Sequence, residues 1–228
     1  MADPKITITK NGPYVVNGSV KLSQSVVQCL DGERVHTPGI SLPQAESYAL
    51  CRCGHSKKQP FCDGNHATIN FEGSLTASTE AFSERKSMID GPTLELHDDY
   101  RCAYARFCHA GDGDVWSFTK GSDNEEAREL AIKTASECPA GRLVQHDKRA
   151  GNQAIEPQFD EPEILLLEDP EQQCSGSMYV RGGVPLLSVE GAVYETRNRY
   201  TLCRCGSSQN KPFCDAKHVK MGYTDKIS

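Results

Sequence analysis

The hydrophobic pattern predicts β structure in the two ends of the chain and a helix in its middle. Ile6-Thr-Ile-Thr9 and Tyr14-Val-Val16 stand on either side of Asn11-Gly12-Pro13, a turn-forming cluster, and read as two short strands. Ile164-Leu-Leu-Leu167 and Met178-Tyr-Val180 read as the corresponding pair late in the chain. One stretch has helical periodicity: Ala127, Leu130, Ala131 and Thr134 fall on one face, and Ser122-Asp-Asn-Glu125 has capping-box spacing. That helix runs directly into Cys138-Pro139, whereas Asp147 to Pro162, rich in charge, Gly and Pro, reads as a connection. The expected class is α+β and β-rich.

An internal repeat organises these elements. Tyr48-Ala-Leu-Cys51-Arg-Cys53-Gly-His-Ser56-Lys-Lys-Gln-Pro60-Phe61-Cys62-Asp63-Gly-Asn-His66 aligns without a gap with Tyr200-Thr-Leu-Cys203-Arg-Cys205-Gly-Ser-Ser208-Gln-Asn-Lys-Pro212-Phe213-Cys214-Asp215-Ala-Lys-His218. Looser similarity upstream pairs the segment from Tyr14 with that from Tyr179, and the first copy carries about thirteen extra residues, Cys29 among them. A repeated motif of this length marks duplicated structural units. The implied division is 1–75 and 151–228 for the two copies, with a different segment, 76–150, between them.

Composition narrows the function. Apolar residues make up 37% of the 228 residues, the mean hydropathy is −0.54, and no stretch approaches the roughly 20 apolar residues of a membrane span. A net charge of −6 argues against nucleic-acid binding. Eleven cysteines with no export signal at Met1-Ala-Asp-Pro-Lys point to metal or redox use in the cytoplasm rather than to a disulfide framework.

Within each repeat the spacing is C-x-C-x8-C, with a histidine four residues after the last cysteine. A C-x-C pair reaches one iron, and the third cysteine and the histidine are left for a second, as a [2Fe-2S] cluster requires. The candidate ligands are Cys51, Cys53, Cys62 and His66, then Cys203, Cys205, Cys214 and His218, with Pro60 and Pro212 fixing the backbone before the third. A Cys3His set also suits zinc, although zinc sites usually draw on C-x2-4-C pairs.

The pattern C-x-C-x2-S-x3-P-x-C-D-[GA]-x-H resembles the CDGSH iron–sulfur domain of the mitoNEET-like family. Both copies depart from the name-giving tetrad at its fourth residue (Asn65, Lys217), and the second has Ala216 in place of glycine. The resemblance implies a [2Fe-2S] cluster near the surface in each copy, with histidine as the labile ligand. It also implies two small β-type units packed as a pseudo-twofold pair, with the middle segment on one flank and no need to dimerise.

Three further cysteines form a pattern in the middle: Cys102, Cys108 and a remote Cys138-Pro139. They match a bacterial ferredoxin site whose second cysteine is replaced by Ala105. Three thiolates suit a [3Fe-4S] cluster, with [4Fe-4S] as the alternative; three buried cysteines with no cluster are the plainer reading. The segment resembles a divergent one-cluster ferredoxin, and Cys138-Pro-Ala-Gly-Arg-Leu carries that likeness. Cys29 and Cys174 fit no motif, although folding can bring Cys174 close as a fourth ligand. His36, His55, His97, His109 and His146 read as surface residues, His109 being notable beside Cys108.

No nucleophile–base pairing, phosphate-cradling loop or flavin fingerprint marks an enzyme. The expected function is electron transfer, with cluster transfer or storage and redox or acid sensing as alternatives. With three clusters the charge reaches roughly −10, so the expected redox partner presents a basic face. A monomer, with neither nucleic acid nor membrane as partner, completes the expectation.

Overall fold

The computed structural model describes residues 2–43 and 45–225. The first copy contributes β1 (Lys5–Ile8), β2 (Tyr14–Asn17), β3 (Lys21–Leu30), β4 (Glu33–Ser41), β5 (Ser47–Leu50) and a single-turn helix α1 (Asn65–Thr68). The middle forms α2 (Phe82–Arg85), β6 (Ser87–Asp90), β7 (Leu94–Asp98), β8 (His109–Ala110), β9 (Gly113–Asp114), α3 (Val115–Lys120), α4 (Glu125–Ser136), β10 (Leu143–Asp147) and β11 (Gln153–Ile155). The second copy adds β12 (Glu163–Asp169), β13 (Cys174–Arg181), β14 (Leu186–Ser188), β15 (Arg199–Leu202) and α5 (Lys217–Met221). The fold is β-rich, as expected.

The two copies exchange strands. β1, β2 and β5 form an antiparallel set, and β14 of the second copy joins its edge parallel to β1. β12, β13 and β15 form the matching set, and β3 of the first copy runs parallel to β12, with β4 beyond it. The registers correspond: Ile6 lies beside Leu186 as Leu22 lies beside Ile164, and Val16 faces Tyr48 as Val180 faces Tyr200. Alternate residues of both sheets meet in one apolar core, in which Ile6, Tyr14 and Leu50 pack with Ile164, Met178 and Leu202. This is the pseudo-twofold pair that the family resemblance implied.

The register corrects the upstream alignment by one residue. Tyr14 pairs with Leu50 and Met178 with Leu202, so Met178, not Tyr179, is the counterpart of Tyr14. A one-residue shift turns a strand's side chains over, and Tyr179 accordingly packs on the opposite face with Leu165 and Leu167. Ala105 and Phe159 cover that outer face. β12 is therefore buried on both sides, which accounts for its unbroken run of aliphatic residues. The extra residues of the first copy build the β3–β4 hairpin, on which Cys29 is exposed.

In the middle segment α3 and α4 pack against the sheet β11-β10-β7-β6 through Leu96, Val115, Ala135 and Leu143. Three sequence expectations change here. Asn124, not Ser122, caps α4, its side chain accepting from Ala127 N at 3.0 Å. Ser122 is buried and instead holds Thr93, accepting from its backbone N at 3.0 Å. The capping box present belongs to α3, where Asp114 and Ser117 bond reciprocally. The Asp147–Pro162 connection includes β11, which pairs with β10. His97 is buried and stacks on His146 at 3.8 Å, and His36 is half-buried.

His36 joins the first copy to the middle segment. Its ring stacks on Phe107 at 4.2 Å, and its Nδ1 lies 3.1 Å from Ser25 Oγ. Burial, aided by Arg181, pushes the imidazole down to about 4. A histidine held neutral contributes stability that is full above its unfolded value of 6.5 and is lost as pH falls towards 4. Chemical denaturation should show up to about 3 kcal/mol lost over that interval through this residue. His36→Phe, which retains the stack, should flatten the decline; an unchanged pH slope would refute the assignment.

Candidate iron–sulfur centres

Each motif loop begins where the last strand of its copy ends. Phe61 returns to bridge Leu50, and Phe213 returns to bridge Leu202. Cys51 N donates to Pro60 O at 2.8 Å and Cys62 N to Ala49 O at 2.9 Å; Cys203 N and Cys214 N repeat these bonds to Pro212 O and Thr201 O at 2.9 and 3.1 Å. The first and third cysteines of each motif are thereby set side by side.

The loop interiors are tied by the motif's serine and aspartate. Ser56 Oγ donates to Phe61 O at 2.6 Å, and Asp63 accepts from Lys57 N at 2.8 Å and Asn65 N at 3.0 Å. Ser208 donates to Phe213 O at 2.7 Å, and Asp215 accepts from Gln209 N and Lys217 N at 2.8 and 3.2 Å. Spacing assigned these residues no role; their recurrence at identical offsets was the available signal.

The donor atoms come in pairs. Cys51 Sγ and Cys53 Sγ are 3.7 Å apart, and Cys62 Sγ lies 3.3 Å from His66 Nδ1. In the second copy the separations are 3.6 Å for Cys203–Cys205 and 3.3 Å for Cys214–His218. Two sulfurs on one tetrahedral ion, with bonds of about 2.3 Å, lie about 3.7 Å apart. A zinc ion would draw all four donors to one point. Among the described residues no three His, Cys, Asp or Glu side chains converge in that way. Two separate pairs fit a binuclear core with two ligands per iron. Sharing a proton between adjacent sulfurs pulls the Cys51 and Cys203 thiols down, to about 6 and about 7, and drives the Cys53 and Cys205 thiols up.

The two centres differ in exposure. Cys62 and His66 are half-buried, with Asp63 and Gly64 exposed beside them. Cys214 and His218 are buried, at 2% and 4% exposure. Burial, with Arg204 adding, pushes the His218 imidazole down to about 4, and burial, with the Cys203 sulfur adding, drives the Cys214 thiol up. Only the first copy thus keeps its third cysteine and histidine near solvent, against the expectation of two equivalent surface centres.

The third set surrounds a cavity rather than a single point. Cys102, Cys108 and Cys138 line one cavity, together with Ala105 and Arg142. Tyr100, Tyr104 and Arg106 in the loop around it are left-handed, with φ of 63°, 58° and 65°. Such a conformation costs a side-chain-bearing residue about 1–2 kcal/mol. Anchors offset that cost: Arg106 pairs with Asp169 at 2.6 Å and Glu171 at 3.0 Å, and Tyr100 N donates to Asp98 at 2.9 Å. Burial, reinforced by the neighbouring sulfurs, pushes the Cys108 thiol up to about 12. Three crowded thiols of this kind suit a cationic iron–sulfur core. Cys174 does not line the cavity; it lies at the start of β13, near Glu168, Asp169 and Arg106. His109 is exposed and tilts against Trp116 instead.

Comparison with protein families agrees with these positions. The family described as iron-binding zinc finger CDGSH type matches residues 11–67 and 175–219, and the divergent 4Fe-4S mono-cluster family matches residues 89–148. The chain is a tandem CDGSH iron–sulfur protein. Its ferredoxin-like segment lies between the CDGSH units, in the order the sequence implied. Comparison with curated proteins and with solved structures gave no match.

Contacts on two sides join the centres of this tandem CDGSH protein. A Cβ on Gly54 would lie 2.5 Å from Cys205 O and one on Gly206 2.4 Å from Cys53 O, so the two ligand loops touch backbone to backbone. Tyr14 reaches across the pair, its hydroxyl donating to Cys203 O at 2.9 Å; Met178 cannot return that bond. On the other side, buried Arg199 of β15 donates to Cys138 O at 2.8 Å and Ala135 O at 3.0 Å, and it pairs with Glu156. Arg101 stacks over Phe213, next to Cys214, at 4.0 Å.

The second CDGSH loop carries one conformational cost. Ala216 occupies a left-handed position, φ 68°, where the first copy has Gly64 at φ 87°. Ala216→Gly should therefore raise the stability of the purified protein by about 1 kcal/mol. Thermal or chemical denaturation checks this, and a destabilised variant would contradict it.

Proposed function

We propose that this protein is an electron carrier with two [2Fe-2S] clusters and one [3Fe-4S] cluster. Cys51, Cys53, Cys62 and His66 would hold the first, Cys203, Cys205, Cys214 and His218 the second, and Cys102, Cys108 and Cys138 the third. When bound, the clusters supply one-electron oxidation and reduction. The protein's own part is to position and shield them. Contiguity carries this reading: Arg199 ties the Cys138 loop to the strand leading into Cys203, and Gly54 packs on Cys205. A storage protein has no need of three centres set in series.

Further features support the details. A groove lined by Asp31, Asp112 and Glu126, by Glu33, which pairs with Lys133, and by Phe118 and Leu130 includes Ala110 of the strand that follows Cys108. It suits a redox partner with a basic face, and association should slow as salt rises. The eleven free cysteines fit a reducing compartment such as the cytoplasm. An internally satisfied twofold fits a monomer that acts as a carrier rather than an enzyme. Among the described residues no helix is long and apolar enough to cross a membrane.

One observation favours a second reading, cluster donation. The half-exposed Cys62 and His66 leave the first centre accessible, whereas Cys214 and His218 are shielded. Transfer of a single [2Fe-2S] cluster to an apo-ferredoxin, with no rapid reduction of the protein by a reductase, would favour donation over carriage.

Metal analysis and electron paramagnetic resonance test the main proposal. The oxidised protein should contain about seven irons, two per [2Fe-2S] and three for [3Fe-4S], with a paramagnetic signal from the last alone. Ala105 lines the third cavity, so Ala105→Cys should supply a fourth thiolate, give [4Fe-4S] and remove that signal. About four irons with no signal in the wild type would exclude a third cluster.

A further inference from the structure

We infer that the arginine inside each C-x-C pair sets the two CDGSH centres to different reduction potentials, the first centre being the higher. The inference rests on the proposal that both centres hold [2Fe-2S].

Arg52 and Arg204 are equivalent by the repeat, and both are buried, at 2% and 1% exposure. Their partners differ. Arg52 donates only to neutral carbonyls: Nε to Gly12 O at 2.7 Å, Nη1 to Gly73 O at 2.7 Å and Nη2 to Thr9 O at 3.1 Å. Its plane lies 5.3 Å from the Phe71 ring centre and 5.8 Å from that of Tyr14. The nearby carboxylate of Glu72 is exposed and bonded to Ser74. Arg204 donates to Gly176 O at 2.7 Å and Leu167 O at 2.8 Å, and it also pairs with Glu168 at 2.6 Å and with Asp225.

Arg52, bonded to no carboxylate, keeps its +1, whereas the charge of Arg204 is offset by the carboxylates paired with it. Reduction adds an electron to a site that is already anionic, so a buried positive charge near the ligands favours the reduced state, and one offset by carboxylates does so less. Solvent exposure acts in the same direction, since water stabilises the added charge at the half-exposed first centre more than at the buried second. The lysines of the two loops balance, since Lys57 and Lys58 stand where the second loop has Gln209 and Asn210, and Lys211 and Lys217 stand where the first has Gln59 and Asn65. Arg101 over Phe213 is an opposing charge, and the anionic third centre on the same side counters it. Electrons reaching the second centre therefore run downhill to the exposed first one, which becomes the outlet.

A redox titration of the holoprotein, followed by visible absorption and paramagnetic resonance, tests this. Two resolved [2Fe-2S] steps are expected, and Cys62→Ala should delete the upper one. Arg52→Gln should shift only the upper step to lower potential. Glu168→Gln should shift only the lower step upwards, and it serves as the test should the Arg52 variant fail to fold. Coincident steps in the wild type, an upper step that survives Cys62→Ala, or a Glu168→Gln protein with both steps unmoved would overturn the inference. Absence of any [2Fe-2S] absorption would instead refute the cluster assignment beneath it.

Discussion

The parallel pairing of β1 with β14 and of β12 with β3 is the constraint on which the other features depend. A three-stranded set with one apolar face has too little core to be stable alone. Each copy lends a strand to the other's edge, and eighteen buried residues from both copies close over one core. The exchange also fixes where the motif loops emerge. β5 and β15 end on equivalent sides of the pseudo-twofold, which brings the loops together until Gly54 and Gly206 touch the opposing backbone. Any side chain there would push the two centres apart.

Near-symmetry in the backbone coexists with asymmetry in the surroundings. The loops repeat bond for bond through Ser56, Asp63, Ser208 and Asp215. The middle segment, however, docks on the second unit, where Arg199 clasps the Cys138 turn and Arg101 covers Phe213. One copy is thereby closed over and the other left facing solvent. Duplication supplied two like sites, and the inserted segment made them unlike.

The middle loop shows how local strain is held. Three left-handed residues with side chains are unfavourable in isolation. Asp98, buried and paired with Arg142, and Asp169, paired with Arg106, anchor the loop from the sheets on either side. Those anchors leave Cys102 and Cys108 facing Cys138 across the cavity, although the chain carries no regular structure between Tyr100 and Cys108.

The sequence alone determined the chemistry. C-x-C-x8-C-x3-H, written twice, specifies its donors because ligand sets need particular atoms at short separations along the chain, and all eight proposed donors lie within two nineteen-residue segments. The strands around Tyr14 and Ile164 and the helix leading to Cys138 were legible for the same reason, since their periodicity is local. Only the tertiary structure decided the rest. That Met178 rather than Tyr179 answers Tyr14, that Ser122 holds Thr93 rather than capping α4, and that Cys174 lies apart from the third site all depend on register and packing. The differing partners of Arg52 and Arg204 are of the same kind. The two arginines are indistinguishable in their motifs, and Glu168 and Asp225 come to Arg204 from distant parts of the chain. Burial and charge pairing arise between segments far apart in sequence, so no short stretch of residues can encode them.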